Sequence, residues 1–236
     1  MNGPRLKLAR SREHLSVLSE EIHVFTQSNT PTVEAELTQN GAYLARVYLP
    51  PIPTRFGILA ADVFQNLRAS LDYLAWELAL LNVSDGVPFY NTGFPICKDW
   101  SSRTQSRFNK VTKSLAQDVR DEIRALQPYH RGNSYKSHPL WVLHFFCNIA
   151  KHRSIPMTGT KLDVQMPSSY KVLDASTVEM IFRSPPKGFK PDANWSISFF
   201  SGIQEMQGIT LLPQEVIGLY NFVTDIVFPK FVRFFP

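Results

Sequence analysis

The chain carries only two cysteines, Cys97 and Cys147, among its 236 residues. Two thiols cannot build a disulfide framework, and neither belongs to a Cys-x-x-Cys pair, which argues for a reducing compartment and against structural zinc. No apolar run approaches the roughly 20 residues of a membrane-spanning helix, and the basic start, Met1 to Arg12, leads into no hydrophobic signal segment. The expectation is a cytoplasmic protein without membrane contact. Among the 11 glycines there is no Gly-x-Gly-x-x-Gly and no Gly-Lys-Ser/Thr, which excludes nucleotide hydrolysis of the P-loop type. A Gly-x-Ser-x-Gly elbow is missing too, and neither cysteine has a histidine at a spacing that argues for a nucleophile. Basic residues outnumber acidic ones by 25 to 20 with no Lys/Arg run, an excess that permits an anionic partner without requiring one. Internal repeats and low-complexity tracts are absent.

What is present is material for a core: 44% of the residues are hydrophobic, enough for one large domain spanning 1–236. The stretch Phe56 to Asn82 organises the rest. Ala60, Phe64, Leu67, Leu71, Leu74, Leu78 and Leu81 recur at alternating spacings of four and three, so one arc of a helix is apolar. Gln65, Arg68 and Asp72 share the opposite side, with Asp62, Asn66 and Tyr73 beyond them. Before it, Leu8, Leu15, Leu18, Ile22 and Phe25 mark an amphipathic helix, and Val33 to Leu37, Asn40-Gly41 and Tyr43 to Leu49 mark a β-hairpin closed by Pro50, Pro51 and Pro53.

The stretch Val83 to Lys110 reads as an ordered loop around Phe94-Pro95-Ile96 with a short helical continuation. Ser114 and Gln117 suggest a capping box, hence a helix from about Ser114 to before Pro128, followed by a polar loop from Tyr129 to Pro139. Leu140 to Arg153 reads as a buried helix. Strand-like runs follow at Lys161 to Met166, Thr177 to Arg183 and Trp195 to Ser201, and Pro213 opens a last helix that Pro229 should interrupt. The fold class expected is α+β: about five helices and one mostly antiparallel sheet, with a helical core at about 1–28, 56–155 and 213–236 and a β layer at about 31–50 and 157–211. Phe231, Phe234 and Phe235 call for a partner surface, which makes a homodimer through the aromatic C-terminus a candidate assembly.

Two polar stripes are candidate sites. Arg68 and Asp72, four apart, can pair with each other, either as a modest structural ion pair or as an anion clamp in which Asp72 orients a guanidinium that grips phosphate or carboxylate at two points. His144, Asn148 and His152 form a row on an otherwise apolar helix that ends in Lys151, His152 and Arg153. Those cations either complement the helix dipole or meet the Arg68 face as a second polar surface. His130, His138, His144 and His152 cluster in sequence, but without His-x-x-x-His spacing or clustered carboxylates they give no metal site. No cofactor is implied.

With Asn66-Leu67-Arg68-Ala69-Ser70-Leu71-Asp72-Tyr73, Phe94-Pro95-Ile96, Leu126-Gln127-Pro128-Tyr129 and Asn148-Ile149-Ala150-Lys151-His152-Arg153, the chain resembles a widespread group of uncharacterised bacterial proteins that carry these blocks in this order. It more loosely resembles the HEPN ribonucleases, helical proteins whose active site pairs an Arg with a His four to six residues on, often across a dimer. That resemblance implies metal-independent RNA cleavage, with His moving the 2′-hydroxyl proton and Arg steadying the phosphate. Arg68 matches the Arg, while Tyr73 stands where the His would be. The expected roles are therefore His152 as acid/base, Arg68 and Lys151 on phosphate, Asp72 orienting Arg68, and Asn148, Arg153, Gln65, Asn66 and Tyr73 lining the groove. The alternative is a non-catalytic module for a small ligand or protein, its polar helix faces structural.

Overall fold

In the computed structural model the described residues are 1–83, 86–152, 157–162, 167–174, 176–183, 195–200 and 209–236, with the backbone alone at His152 and over most of 157–162. The elements run α1 (Asn2–Ser28), β1 (Thr32–Leu37), β2 (Tyr43–Tyr48), α2 (Thr54–Asn82), α3 (Ser102–Val111), α4 (Gln117–Ala125), a 3₁₀ run (Pro128–Ser137), α5 (Pro139–His152), β3 (Met157–Leu162), β4 (Ser169–Val172), β5 (Thr177–Phe182), β6 (Trp195–Phe200), β7 (Thr210–Leu211), α6 (Pro213–Asn221), a π-helical segment (Phe222–Val227) and α7 (Phe228–Val232). The class is α+β, as expected.

Helix α2 is the axis. Phe64, Leu67, Leu71 and Leu74 on its apolar arc are fully buried, whereas Leu81, at its end, is 51% exposed and leaves the arc for solvent. Helix α1 packs antiparallel along it: Ser11 Oγ donates to Val63 O (3.2 Å), Gly3 N–H to Glu77 Oε1 (2.8 Å) and Arg55 Nε to Glu21 (2.9 Å). Helix α5 closes the other side, with Phe146 against Phe64 at 5.2 Å between centroids. Burial of these large side chains, at about 1.5–3 kcal/mol each, is the main term holding the bundle together.

Among the described residues the strands form two sheets rather than one. The hairpin β1–β2 continues through β5 and β4 in the order β1-β2-β5-β4, all antiparallel, over a small core of Ala45, Val47, Met180 and Phe182. Strands β3, β6 and β7 make a separate sheet whose Ile197, Phe199 and Leu211 join the main helical core. Register decides this split. Strand β5 pairs its whole length with β2, Tyr43 opposite Phe182 and Tyr48 opposite Thr177, while β6 pairs with β3. Alternation in sequence marks a strand, not its partner.

Several boundaries also differ from expectation. The strand expected at Lys161 to Met166 is β3 at Met157–Leu162, and 163–166 lie outside the described residues. Helix α4 starts at Gln117, not Ser114, because the Ser114 hydroxyl accepts from Phe89 N–H (2.9 Å) instead of capping. The stretch after Pro128 is a 3₁₀ run kinked at Gly132 (φ 54°). The last helix passes Pro229: the missing proline N–H is accommodated by the wide π turn before it, in which Phe228 N–H donates to Val223 O. The closing aromatics are taken up by their own chain. Phe231 is fully buried, and Phe234 and Phe235 pack on the main core.

Candidate anion-binding site

The site is built where the loop at Gly93–Phe94 crosses α2. Arg68 Nη2 donates to Asp72 Oδ1 (2.8 Å) and to Phe94 O (2.7 Å), and the same Asp72 oxygen accepts Phe94 N–H (3.0 Å). The pair is thus more than an i,i+4 surface contact, since both partners grip one backbone unit 22 to 26 residues away. Arg68 is 17% exposed and Asp72 41%. A methyl group on Gly93 would lie 3.1 Å from Asp72 Oδ1, so glycine there lets the loop approach this closely.

Two supports hold the loop. The ring of Phe94 is buried and meets Phe231 of α7 edge-on at 6.1 Å. Gln127, 1% exposed, receives Cys97 N–H on Oε1 (2.8 Å) and donates through Nε2 to Pro95 O (3.0 Å) and Ile123 O (2.9 Å), while Tyr129 N–H donates to Cys97 O (3.2 Å). The Phe-Pro-Ile and Leu-Gln-Pro-Tyr blocks of the sequence are therefore one hydrogen-bonded unit, seated on the Arg68–Asp72 pair.

The α5 row reaches the same place. His144, partly buried, has its pKa lowered to about 4, first by burial and then by the charges of Arg68, Arg107 and Lys151. Its ring nitrogen Nε2 is 2.9 Å from Asn148 Nδ2. Cys147, next to it in the core, has its thiol pKa raised by burial and by Asp72, with Lys151 and Arg68 opposing. The charges of Arg68, Arg107 and Lys151 thus all act on one neutral imidazole, and Asp72 pairs with the first of them. Arg68 Nη1 is buried without a hydrogen-bond partner among the described residues, so the guanidinium charge is only partly compensated by them.

Of the residues expected here, Arg68 and Asp72 pair on α2, Asn148 lies against His144 on α5, and the charges of Arg68 and Lys151 both act on that imidazole. Gln65 is half-buried one turn before Arg68. Asn66 and Tyr73 lie elsewhere: Asn66 Nδ2 donates to Asp62 O within α2 (2.8 Å), and the Tyr73 ring sits beneath Gly3 of α1 with the Lys7 ammonium 6.0 Å from its centroid. The reason is angular, because residues 66 and 73 fall more than 90° around the helix from 68 and 72. The His152 side chain and Arg153 lie outside the described residues. Arg107 and Gln127 escaped the sequence reading. Gln127 belongs to the Leu-Gln-Pro-Tyr block, but a buried amide cannot be told from an exposed one in sequence, and only the tertiary fold puts the Arg107 charge within range of His144.

Among the described residues no group of three His, Cys, Asp or Glu is placed to hold a metal ion, and no helix is long and apolar enough to cross a membrane. In comparison with known proteins, no family model, no curated protein and no solved structure matches the chain.

Proposed function

We propose that this protein binds RNA through its phosphates at the Arg68 site. The observation that carries the reading is the geometry of Arg68, whose Nη2 is held by Asp72 Oδ1 and Phe94 O while its buried Nη1 has no hydrogen-bond partner among the described residues, with the charges of Arg107 and Lys151 adding to the positive field at His144. Such a surplus on a partly dry surface favours a polyvalent anion, and an arginine held at one nitrogen by a carboxylate and a carbonyl is pre-oriented to meet it. Metal-independent cleavage is the reaction the HEPN-like resemblance implies, and in this proposal it belongs to His152. His144, neutral down to about pH 4, cannot act as the acid at neutral pH. The setting proposed is cytoplasmic, in keeping with two buried free thiols.

The test pairs binding with a spectroscopic signature. Single-stranded RNA should bind in a steeply salt-dependent way, Arg68→Ala should weaken it, and bound anion should raise the His144 pKa by screening the three cations. His152→Ala should spare binding and abolish cleavage. Salt-independent binding, or an unmoved His144 titration, would overturn the reading. A second reading, a small-ligand module, has one observation in its favour: a groove of about 760 Å³ between α1 and the α6–π segment, lined by Arg12, Glu20, His23, Tyr220 and Asp225 among others. If that groove is the functional site, ligand-induced shifts should map there and leave His144 unmoved.

A further inference from the structure

The chain's charge is not spread evenly. Between Lys98 and Lys113 five cations face one carboxylate, a surplus of four in a chain whose whole surplus is five. That carboxylate, Asp99, is occupied locally: it accepts Ser101 N–H (3.1 Å), Ser101 Oγ (2.7 Å) and Thr104 Oγ1 (2.7 Å) at the start of α3. Along α3, Arg103, Arg107 and Lys110 fall within an arc of about 60° at 100° per residue, across the helix from the buried Phe108. All three are exposed. The described ion pairs involve other cations, Arg46 with Glu179 and Arg55 with Glu21 among them, and none lies on this helix.

Arg107, the middle cation of the row, is close enough for its charge to act on both His144 and Cys97. At its C-terminal end the row leads to Lys113, whose ammonium stands 3.7 Å from the centre of the Phe89 ring. Tyr90 packs against Phe89 at 4.6 Å and is 79% exposed. Arg103 and Arg107 are one turn apart, about 6 Å along the axis, close to the step between neighbouring phosphates of an extended strand. A row of unpaired cations ending beside an exposed aromatic ring is the arrangement that tracks a single strand: charge along the backbone, a π-face for a base.

Resting on the RNA reading above, we infer that α3 is a phosphate track for single-stranded RNA, the strand following the row Arg103, Arg107, Lys110, passing the Arg68 site at Arg107 and running on toward Lys113 and Tyr90. The site alone holds one or two phosphates. The track gives the protein its preference for longer strands.

The experiment compares two probes, inorganic pyrophosphate and a 12-nucleotide oligouridylate, on the full chain and on Arg103→Gln/Lys110→Gln, Tyr90→Ala and Arg68→Ala. Unchanged urea midpoints for the α3 double variant establish that it is folded, as its exposed positions allow. The expected result is unchanged pyrophosphate binding, oligonucleotide binding weakened about tenfold or more, and a salt slope reduced by about 1.4 for two lost single-strand phosphate contacts. Tyr90→Ala should weaken the oligonucleotide alone. If the double variant binds the oligonucleotide as the parent does while Arg68→Ala weakens both probes, the track is wrong and the site stands. If neither probe binds the parent, or Arg68→Ala changes nothing, both fall. Heparin that binds tighter than the oligonucleotide and competes with it would replace RNA by a sulfated polysaccharide and overturn the inference.

Discussion

Replacing Gln127 by leucine keeps the shape of a buried side chain and removes its amide. In the folded protein that amide serves three backbone groups, Cys97 N–H, Pro95 O and Ile123 O. Ile123 O also accepts from Leu126 N–H, so two groups, the Cys97 N–H and the Pro95 carbonyl, lose their partner. An orphaned buried polar group costs about 1–3 kcal/mol, which puts the loss for Gln127→Leu at about 2–6 kcal/mol. In urea that is a midpoint lowered by about 1–2 M at an unchanged m-value. Gln127→Glu is the informative companion. A carboxylate still accepts from Cys97 N–H but opposes two carbonyl oxygens, so it should be worse than leucine at neutral pH and recover as the pH falls and the protonated carboxyl donates to one of them. The reasoning is refuted if Gln127→Leu stays within about 0.5 kcal/mol of the parent, the range of an ordinary surface change, or if Gln127→Glu is no worse than Gln127→Leu at neutral pH.

Acid should destabilise the fold through its histidines. His138 and His144 both have pKa values lowered from 6.5 to about 4, with burial the leading cause. The unfolded chain protonates them near pH 6.5 and the folded chain only near pH 4, so their contribution is full above about pH 6.5 and is lost as the pH drops toward about 4. Urea midpoints measured across that window should fall, and a flat profile would count against both environments. Gly93→Ala should push Asp72 Oδ1 away, given the 3.1 Å approach, and weaken anion binding more than it lowers the melting temperature. Gly41, at φ 81° in the β1–β2 turn, should cost about 1–2 kcal/mol when changed to alanine and less when changed to asparagine. Phe231→Ala, at a fully buried position, should cost about 3–5 kcal/mol and also loosen Phe94, which a shift in the amide resonances of Gly93 and Phe94 would report.

The sequence by itself determined the elements whose signal is local. Period-3.6 apolar spacing marked α1 and α2 within a few residues, and Asn40-Gly41 located the hairpin, because only a residue tolerant of positive φ closes so tight a turn. It also singled out Arg68, Asp72, Asn148 and Lys151, since polar residues grouped on one side of an apolar helix need a polar partner. Tertiary structure decided everything that depends on which distant surfaces meet. It assigned β5 to the hairpin and β6 to β3, sent Tyr73 to α1 rather than to the groove, turned Gln127 into the staple of the Phe94 loop, and put the Arg107 charge within range of His144. Those outcomes follow from packing summed over the whole core, and a chain read one residue after another gives spacing along a helix without the azimuth at which its neighbours dock.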